Sequence, residues 1–408
     1  MAETDRAGPA AAWRVLRQRD FRLYFAGNAS SAAGTWFQNL AASILVYRLT
    51  HSAFLLGVLN FAQFVPVLVL SPWAGAVADR LDRRKLALVT QLVAAALSAT
   101  LALLAWIGAV DEWTVIGSAF GAGVTSAFSA PAQMALITSL VDEDDVPQAV
   151  ALNSMTFNLA RAVGPAGAAA VVATLGIPAA FLVNSFSYLV LVAALLLVRP
   201  REQPRAERAT VRESIRLLRE DPRLAAYLLI VMGVGFASDP VNTESPAFAH
   251  AFGYADTWAG ALIGAFGAGA VAAAFLVAGR VAGSRTRMAA TLALMGAGIV
   301  AYCLTPWLPL AFLPLFAAGF GYLASNTAAT TRLQLGVAEN QRGRIMALWS
   351  IAFLGLRPIA SLADGALAAA FGVRAAGIVL ALPVLAGALL IVGIRRSADR
   401  RALAARRG

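Results

Sequence analysis

The 408-residue chain is 59% hydrophobic and only 13% charged, with a mean hydropathy of +0.71. Soluble globular proteins carry a charge at about a quarter of their residues, so this composition excludes an ordinary soluble protein and indicates an integral membrane protein. The net charge of +11 would suggest a nucleic-acid partner in a soluble chain. The positions of the arginines therefore decide how that charge is interpreted.

The apolar residues form long runs rich in Ala, Leu, Val and Gly, which favour transmembrane helices over the alternating strands of a membrane barrel. A helix needs about 20 mostly apolar residues to cross a bilayer. In chain order, the predicted spans are 22–48, 54–78, 86–108, 114–138, 149–173, 178–198, 223–249, 257–280, 288–306, 308–332, 345–370 and 373–394. The sequence thus predicts an all-α integral membrane protein with twelve transmembrane helices.

The basic residues concentrate in every second connection, and Lys85 is the only lysine among them. The connections on the opposite side offer only Arg48 and Arg374. Because cytoplasmic loops carry the excess of Lys and Arg, we expect both termini in the cytoplasm, a bacterial plasma membrane location and no nucleic-acid partner. We also expect the first span to be retained, since no cleavable signal peptide precedes it.

A polar stretch divides the chain into two halves. We predict a cytoplasmic segment over 1–21, a six-helix bundle over 22–198, a cytoplasmic loop over 199–222, a second bundle over 223–394 and a cytoplasmic tail over 395–408. The loop contains VRESIRLLRED at 211–221, whose spacing allows an amphipathic helix on the membrane surface. A shift of 196 positions aligns Glu143 with Glu339, Phe157 with Phe353 and Arg161 with Arg357. This repeat predicts two pseudo-symmetric six-helix bundles around a central cavity, an architecture typical of transporters.

The loop after the second span reads GAVADRLDRRK at 75–85. It resembles the cytoplasmic signature of the major facilitator superfamily, G-x-L-A-D-R-x-G-R-R, with Asp82 in place of a common Gly. That departure, together with RDFRLYFAG at 19–27, RAVGP at 161–165 and QRGRIMALW at 341–349, is similar to the branch of enterobactin exporters and macrolide efflux proteins. The resemblance implies a secondary active transporter that exports a small organic molecule, such as an antibiotic, drug or siderophore, by proton antiport with alternating access.

The acidic residue of this loop suggests a latch between the two halves. Asp79 ends the second span on the same side as the positive end of the eleventh helix, near Arg344. The other residues assigned to this latch are Arg80, Arg83 and Arg84, of which Arg83 and Arg84 are expected to reach the acidic cluster at 142–145. Alternatively, these arginines serve only to set the topology.

Two arginines are predicted within the membrane, where a charge costs about 2.5–3.5 kcal/mol on insertion scales. Arg161 and Arg357 each lie about 18 Å into their spans at 1.5 Å per residue, and they are equivalent in the repeat. Guanidinium groups at this depth would bind an anionic substrate group. In the alternative, each pairs with a carboxylate or with backbone carbonyls and serves helix packing.

Three carboxyl groups are candidate proton carriers: Asp239, Glu244 and Asp364. Asp239 directly precedes Pro240, and Glu244 lies two residues before Pro246. We therefore expect the outer half of the seventh span to be discontinuous, as in the ion and substrate sites of transporters. Uncharged residues that could line a cavity or join helices are Gln38, Asn60, Gln63, Gln133 and Asn326.

Other functions lack the residues they need. Two histidines and one cysteine cannot supply a metal centre or a catalytic constellation, so we predict no enzyme activity, no metal and no cofactor. The expected partners are a small-molecule substrate, protons and the lipid bilayer, with a monomeric chain. The alternatives are a proton-coupled importer of a small nutrient and a transport-inactive sensor or assembly partner.

Overall fold

The structure, a computed structural model, describes residues 9–201, 218–219, 221–277, 280–338 and 341–405. The predicted surface helix at 211–221 falls almost entirely outside these residues. In the first half of the chain the helices are α1 (Pro9–Arg17), α2 (Arg19–Thr50), α3 (Ala53–Arg80), α4 (Arg83–Trp106), α5 (Glu112–Ser139), α6 (Val146–Leu175) and α7 (Ile177–Leu197). In the second half they are α8 (Pro222–Thr243), α9 (Ser245–Ala251), α10 (Trp258–Val277), α11 (Arg285–Leu304), α12 (Leu308–Leu335), α13 (Arg342–Ser350), α14 (Arg357–Phe371) and α15 (Val373–Ala405).

Each of the twelve predicted spans corresponds to helical structure, and the all-α transmembrane fold is confirmed. Among the described residues, eleven helical segments are long and apolar enough to cross a membrane. The first span, α2, has 32 residues and is more polar, since it includes Arg19, Asp20 and Arg22 at its start. Two spans are interrupted: α8 and α9 together form the seventh, and α13 and α14 form the eleventh.

Short polar residues begin several of these helices. The Asp82 carboxylate accepts hydrogen bonds from the backbone N–H groups of Arg84 and Lys85, at 2.9 and 3.1 Å. Asp at this position thus caps α4, which gives the departure from the Gly of the superfamily signature a structural role. Asp111 caps α5 in the same way, accepting from the hydroxyl and from the backbone N–H of Thr114 at 2.5 and 2.7 Å. The hydroxyl bond first, and the backbone bond second, lower the pKa of Asp111.

Two tight connections occupy equivalent places in the repeat. Gly176 joins α6 to α7 with φ of 84°, and Gly372 joins α14 to α15 with φ of 85°. A positive φ of this kind favours glycine because no Cβ clashes with the backbone. The two positions are 196 residues apart, so the duplication extends to the turn geometry.

The described residues form two compact units. The first comprises the residues up to His51 together with 62–207. Within it α2 packs against α6 and α7, and α4 packs against α5 and α7. A core between these helices includes Phe21, Tyr24, Leu136 and Leu191, all of which are fully buried or nearly so.

The second unit comprises residues 208–408 together with Ser52–Phe61 at the start of α3. In this unit α8 packs against α14 and α15, and α11 packs against α12 and α15. These four pairings repeat those of the first unit. The segment Ser52–Phe61 belongs here because the absence of a side chain at Gly57 lets its backbone approach Ser361 and Gly365 closely.

Glycine allows α10 and α12 of the second unit to pack closely. A Cβ at Gly319 would lie 1.8 Å from the carbonyl oxygen of Phe266, and a Cβ at Gly269 would lie 1.9 Å from that of Phe316. Small residues allow this approach, and it contributes van der Waals packing where lipid provides little hydrophobic driving force.

We therefore expect Gly319→Ala to lower stability by about 1–3 kcal/mol, because α10 and α12 must move apart to admit the methyl group. Thermal unfolding of the purified protein in detergent measures the change. Gly117→Ala is the matched control, since a Cβ at Gly117 meets nothing within 4 Å and alanine has the better helix propensity. Equal melting temperatures for Gly319→Ala and the wild type would contradict the packing argument.

Candidate functional site: a buried carboxyl cluster in the second unit

The seventh span breaks where its prolines predict, which confirms the expected discontinuity. Helix α8 ends at Thr243 and α9 begins at Ser245, so Glu244 lies at the junction. Pro240 and Pro246 have no N–H group and therefore leave the carbonyl groups of the residues four positions earlier without their helical donors. At the same break the Ser245 hydroxyl donates to the carbonyl of Val241.

Asp239 lies one turn before this break and is held by two hydroxyl groups. Thr243 donates to its Oδ2 atom and Ser361 on α14 donates to its Oδ1 atom, both at 3.0 Å. Asp239 is 1% exposed. The Ser361 bond joins the broken seventh span to the eleventh.

Glu244 and Asp364 complete a cluster of three carboxyl groups. Both are fully buried. Among the described residues, neither the two Oε atoms of Glu244 nor the two Oδ atoms of Asp364 have a hydrogen-bond partner. Each group interacts electrostatically with Asp239, and Glu244 also interacts with Asp364. Because an isolated buried carboxylate is costly, such an arrangement is unusual unless the groups exchange protons or bind a ligand.

Aromatic residues adjoin this cluster, and the sequence analysis did not single them out. The ring of Tyr302 lies 4.5 Å from that of Phe248, between ring centroids. The Tyr302 hydroxyl is buried, with no hydrogen-bond partner in the described part of the chain. The only sign of Tyr302 in the sequence is that a residue with a hydroxyl group stands within an apolar span. Nearby, Arg374 donates to the carbonyls of Cys303 and Thr305, at 3.1 and 2.6 Å.

In the first unit, Gln38 belongs to a hydrogen-bonded network. Its Oε1 atom accepts from the Ser98 hydroxyl at 2.5 Å and from Asn184 Nδ2 at 2.7 Å. Asn184 is fully buried and was not identified from the sequence. These bonds connect α2, α4 and α7.

Gln133 belongs to a second network. It donates to Ser129 at 2.5 Å, and Gln91 donates to the same hydroxyl at 3.2 Å. Ser31 in turn donates to Gln91 at 3.3 Å. Both networks connect helices by pairing polar groups with one another, a role that interhelical hydrogen bonds serve in membrane proteins.

Of the three remaining uncharged candidates, two have hydrogen-bond partners. Gln63 donates to Asn39 at 2.9 Å, and Asn60 donates to the carbonyl of Leu56 at 3.2 Å. Asn326 differs from them, because its Oδ1 atom is buried and has no partner among the described residues.

The two membrane arginines, which are equivalent in the repeat, differ in their local structure. The guanidinium of Arg161 on α6 lies 5.6 Å from the ring centroid of Trp36, a cation–π distance. Arg357 begins α14, immediately after a π-helical turn over Ile351–Gly355, and it is partly exposed. The π-helical turn places Arg357 at the start of a helix and not inside a continuous helical span. The sequence pattern gives no signal for such a turn.

The prediction that Arg84 contacts the acidic cluster at 142–145 is wrong. Arg84 instead donates to the carbonyls of Leu195 and Leu196 at the end of α7, at 2.5 and 2.6 Å. Cations near a helix C-terminus are stabilising because they pair with the unsatisfied carbonyl groups.

The acidic cluster has other partners. Asp142 pairs with Arg201 at 2.5 Å, and Asp145 pairs with Arg14 and accepts a hydrogen bond from Gln18. Arg80 and Arg83 lie at the end of α3 and the start of α4, and the side chain of Asp79 is outside the described residues.

Comparison with known proteins places this architecture in a family. The model of the transmembrane secretion effector family matches residues 10–406, almost the whole chain. The chain is 28% identical over 249 residues to the staphyloferrin A transporter of Staphylococcus aureus, covering 58% of this chain and 63% of the relative. It is 24% identical to macrolide efflux protein A of Streptococcus pyogenes, and the alignment covers 55% of this chain and 58% of the relative. These alignments thus span less than two thirds of both relatives.

A longer match is the multidrug efflux pump Tap of Mycolicibacterium fortuitum, with 25% identity covering 87% of this chain and 91% of the relative. Among solved structures, a bacterial homologue of the human lysosomal transporter Spinster aligns over 96% of this chain and 98% of its own, with a TM-score of 0.73 and 14% identity. The human organic anion transporter MFSD10 aligns over 92% of this chain and 99% of its own, with a TM-score of 0.62 and 16% identity. At these identities the structural matches establish the fold alone. The chain belongs to the transmembrane secretion effector family of major facilitator superfamily membrane transporters and is not an enzyme.

Proposed function

We propose that this protein exports a small organic molecule in exchange for protons by alternating access. The observation that supports the proposal most directly is the cluster of Asp239, Glu244 and Asp364 beside the break in the seventh span. The relatives named for macrolide and multidrug efflux support the direction of transport.

The carboxyl cluster suits proton exchange for a physical reason. A charge sealed in a low-dielectric interior without a partner is expensive, and a bound proton removes that charge. If the cluster alternates between a sealed and a water-exposed state, its protonation is therefore coupled to that change. The hydroxyl groups of Thr243 and Ser361 keep Asp239 oriented in the sealed state.

We further propose that the protein lies in a bacterial plasma membrane with both termini in the cytoplasm. The alternation of arginine-rich and arginine-poor connections supports this orientation. We also propose that Arg161 and Arg357 each bind an anionic group of the substrate.

The first prediction concerns the energy source. In cells that express the protein, an uncoupler should raise accumulation of an exported compound, whereas depletion of ATP with the proton gradient held constant should not. In proteoliposomes, Asp239→Asn or Asp364→Asn should abolish uptake driven by a pH gradient and spare exchange between substrate molecules on the two sides.

The compound is chosen as one to which expression confers resistance, from a panel of macrolides and other antibiotics. Asp111→Asn is the matched control, because Asp111 is an exposed helix cap and Asn also caps helices. Coupled uptake that persists in both cluster variants would contradict the assignment of the cluster.

The second prediction concerns stability. A buried polar group without a hydrogen-bond partner carries a desolvation cost of about 1–3 kcal/mol, which an apolar group of similar size does not carry. Glu244→Met should therefore raise the melting temperature in detergent or leave it unchanged, while reducing transport. Glu143→Met, at an exposed glutamate, is the control and should change stability by less than about 0.5 kcal/mol. A clear loss of stability in Glu244→Met would indicate a structural role.

The third prediction concerns the arginines. Arg161→Gln or Arg357→Gln should weaken transport of an anionic compound by about 10- to 150-fold more than that of a cationic one, because a charge-assisted contact contributes about 1.5–3 kcal/mol. Lys should restore only part of the loss, since it lacks the planar fork of Arg. Arg22→Gln, at an exposed position, is the control. Equal losses for anionic and cationic compounds, with a lower melting temperature, would assign the arginines to helix packing.

A further inference from the structure

A column of aromatic rings runs across three helices of the second unit, separate from the carboxyl cluster. Phe266 on α10 lies 5.3 Å from Tyr322 on α12, between ring centroids. Tyr322 lies 6.4 Å from Phe353 in the π-helical turn, and Phe353 stacks on Trp349 of α13 at 5.0 Å with an interplanar angle of 20°. Phe266 and Tyr322 are buried, whereas Phe353 and Trp349 are each partly exposed, so these two rings form the exposed end of the column.

Two polar atoms at this end are buried and lack partners. The Nε1 atom of Trp349 and the Oδ1 atom of Asn326 have no hydrogen-bond partner in the part of the chain that the structure describes. The first is a donor and the second an acceptor. Buried polar groups in proteins are nearly always satisfied, so this donor and this acceptor call for a group that pairs with both.

The helix register places these two residues at the same level. Tyr322 contacts Phe353, and further along α12 Gln334 donates to the sulfur of Met346 at 3.4 Å. Residue numbers thus rise along α12 as they fall along α13, so the two helices run antiparallel. Asn326 lies one turn after Tyr322 and Trp349 one turn before Phe353, and residues four apart share a helix face.

The backbone at this place is also irregular. The turn over Ile351–Gly355 is π-helical, with the N–H of Leu356 donating to the carbonyl of Ile351 at 3.1 Å. Turns of this kind are rare and occur frequently at functional sites. Here the turn carries Phe353, the ring on which Trp349 stacks.

We propose that Trp349, Phe353, Tyr322 and Asn326 form a binding site for a planar, ring-bearing part of the substrate that carries an adjacent hydrogen-bond donor and acceptor, such as a carboxamide. The ring of the ligand stacks on the exposed aromatic faces. Its carbonyl accepts from Trp349 Nε1 and its N–H donates to Asn326 Oδ1. This inference deepens the transport function proposed above, on which it rests, by assigning a substrate class.

Two small probes separate the donor from the acceptor. Benzamide has an aromatic ring, a carbonyl and an N–H group, whereas acetophenone keeps the ring and the carbonyl and replaces the amide nitrogen with a methyl group. In a ligand-observed NMR titration of the purified protein in detergent, benzamide should bind about 3- to 10-fold more tightly than acetophenone, the effect of one hydrogen bond.

The variants should then respond differently. Asn326→Leu should reduce benzamide affinity to that of acetophenone and leave acetophenone unchanged. Trp349→Phe keeps a ring but removes the donor, so it should weaken both probes. Trp307→Phe is the matched control, since Trp307 is 68% exposed, and it should change neither affinity.

The wild-type comparison alone can overturn the proposal. Benzamide that fails to bind, or that binds no more tightly than acetophenone, would leave a bridging water as the partner of the two atoms. The titration needs no proton gradient, so it tests this site independently of the energy source of transport. If benzamide binds but transport is not coupled to protons, only the antiport mechanism is refuted. If transport is coupled to protons but benzamide does not bind, only this site is refuted.

Discussion

The cost of burying an unpaired polar group shapes both units of this protein. Within a bilayer a helix satisfies its own backbone, so the remaining demand comes from side chains and from backbone groups that proline releases. The first unit meets this demand with amide and hydroxyl networks around Gln38 and Gln133. The second unit leaves Glu244 and Asp364 without hydrogen-bond partners among the described residues.

This difference is notable because the two units share their helix pairings and an equivalent glycine turn. At the 196-residue shift, the positions equivalent to Ser98 and Asn184 are Leu294 and Leu380, and the position equivalent to Asp364 is Ala168. The duplicated framework was therefore kept while its polar interior diverged. The first unit has bonds that rigidify helix packing, and the second has groups whose charge can change, as the proposed exchange of protons requires.

The interruptions in the seventh and eleventh spans have the same physical basis. Pro240 and Pro246 divide one span at Glu244, and a π-helical turn followed by Pro358 divides the other. The Ser361 hydroxyl bond to Asp239 joins these two interrupted spans. Regular helices would satisfy their own backbones, so irregular backbone at these places is consistent with sites where ions and substrates are bound.

The sequence by itself determined the twelve spans, the duplication and a discontinuity in the outer half of the seventh span, because hydropathy, repeat spacing and proline chemistry act locally along the chain. It also indicated Asp239, Glu244, Asp364 and Asn326, since polar residues in apolar spans are conspicuous.

Only the tertiary structure decided which of these groups meet. Asp239 and Ser361 are 122 positions apart, Arg84 caps α7 instead of meeting the acidic cluster, and Trp349 shares its level with Asn326 through the register of two antiparallel helices. A transmembrane helix is apolar on nearly every side, so its sequence carries no amphipathic stripe to show which face meets a neighbour. That choice is made by close packing, such as the approach of Gly319 to Phe266, and it exists only once the helices are assembled.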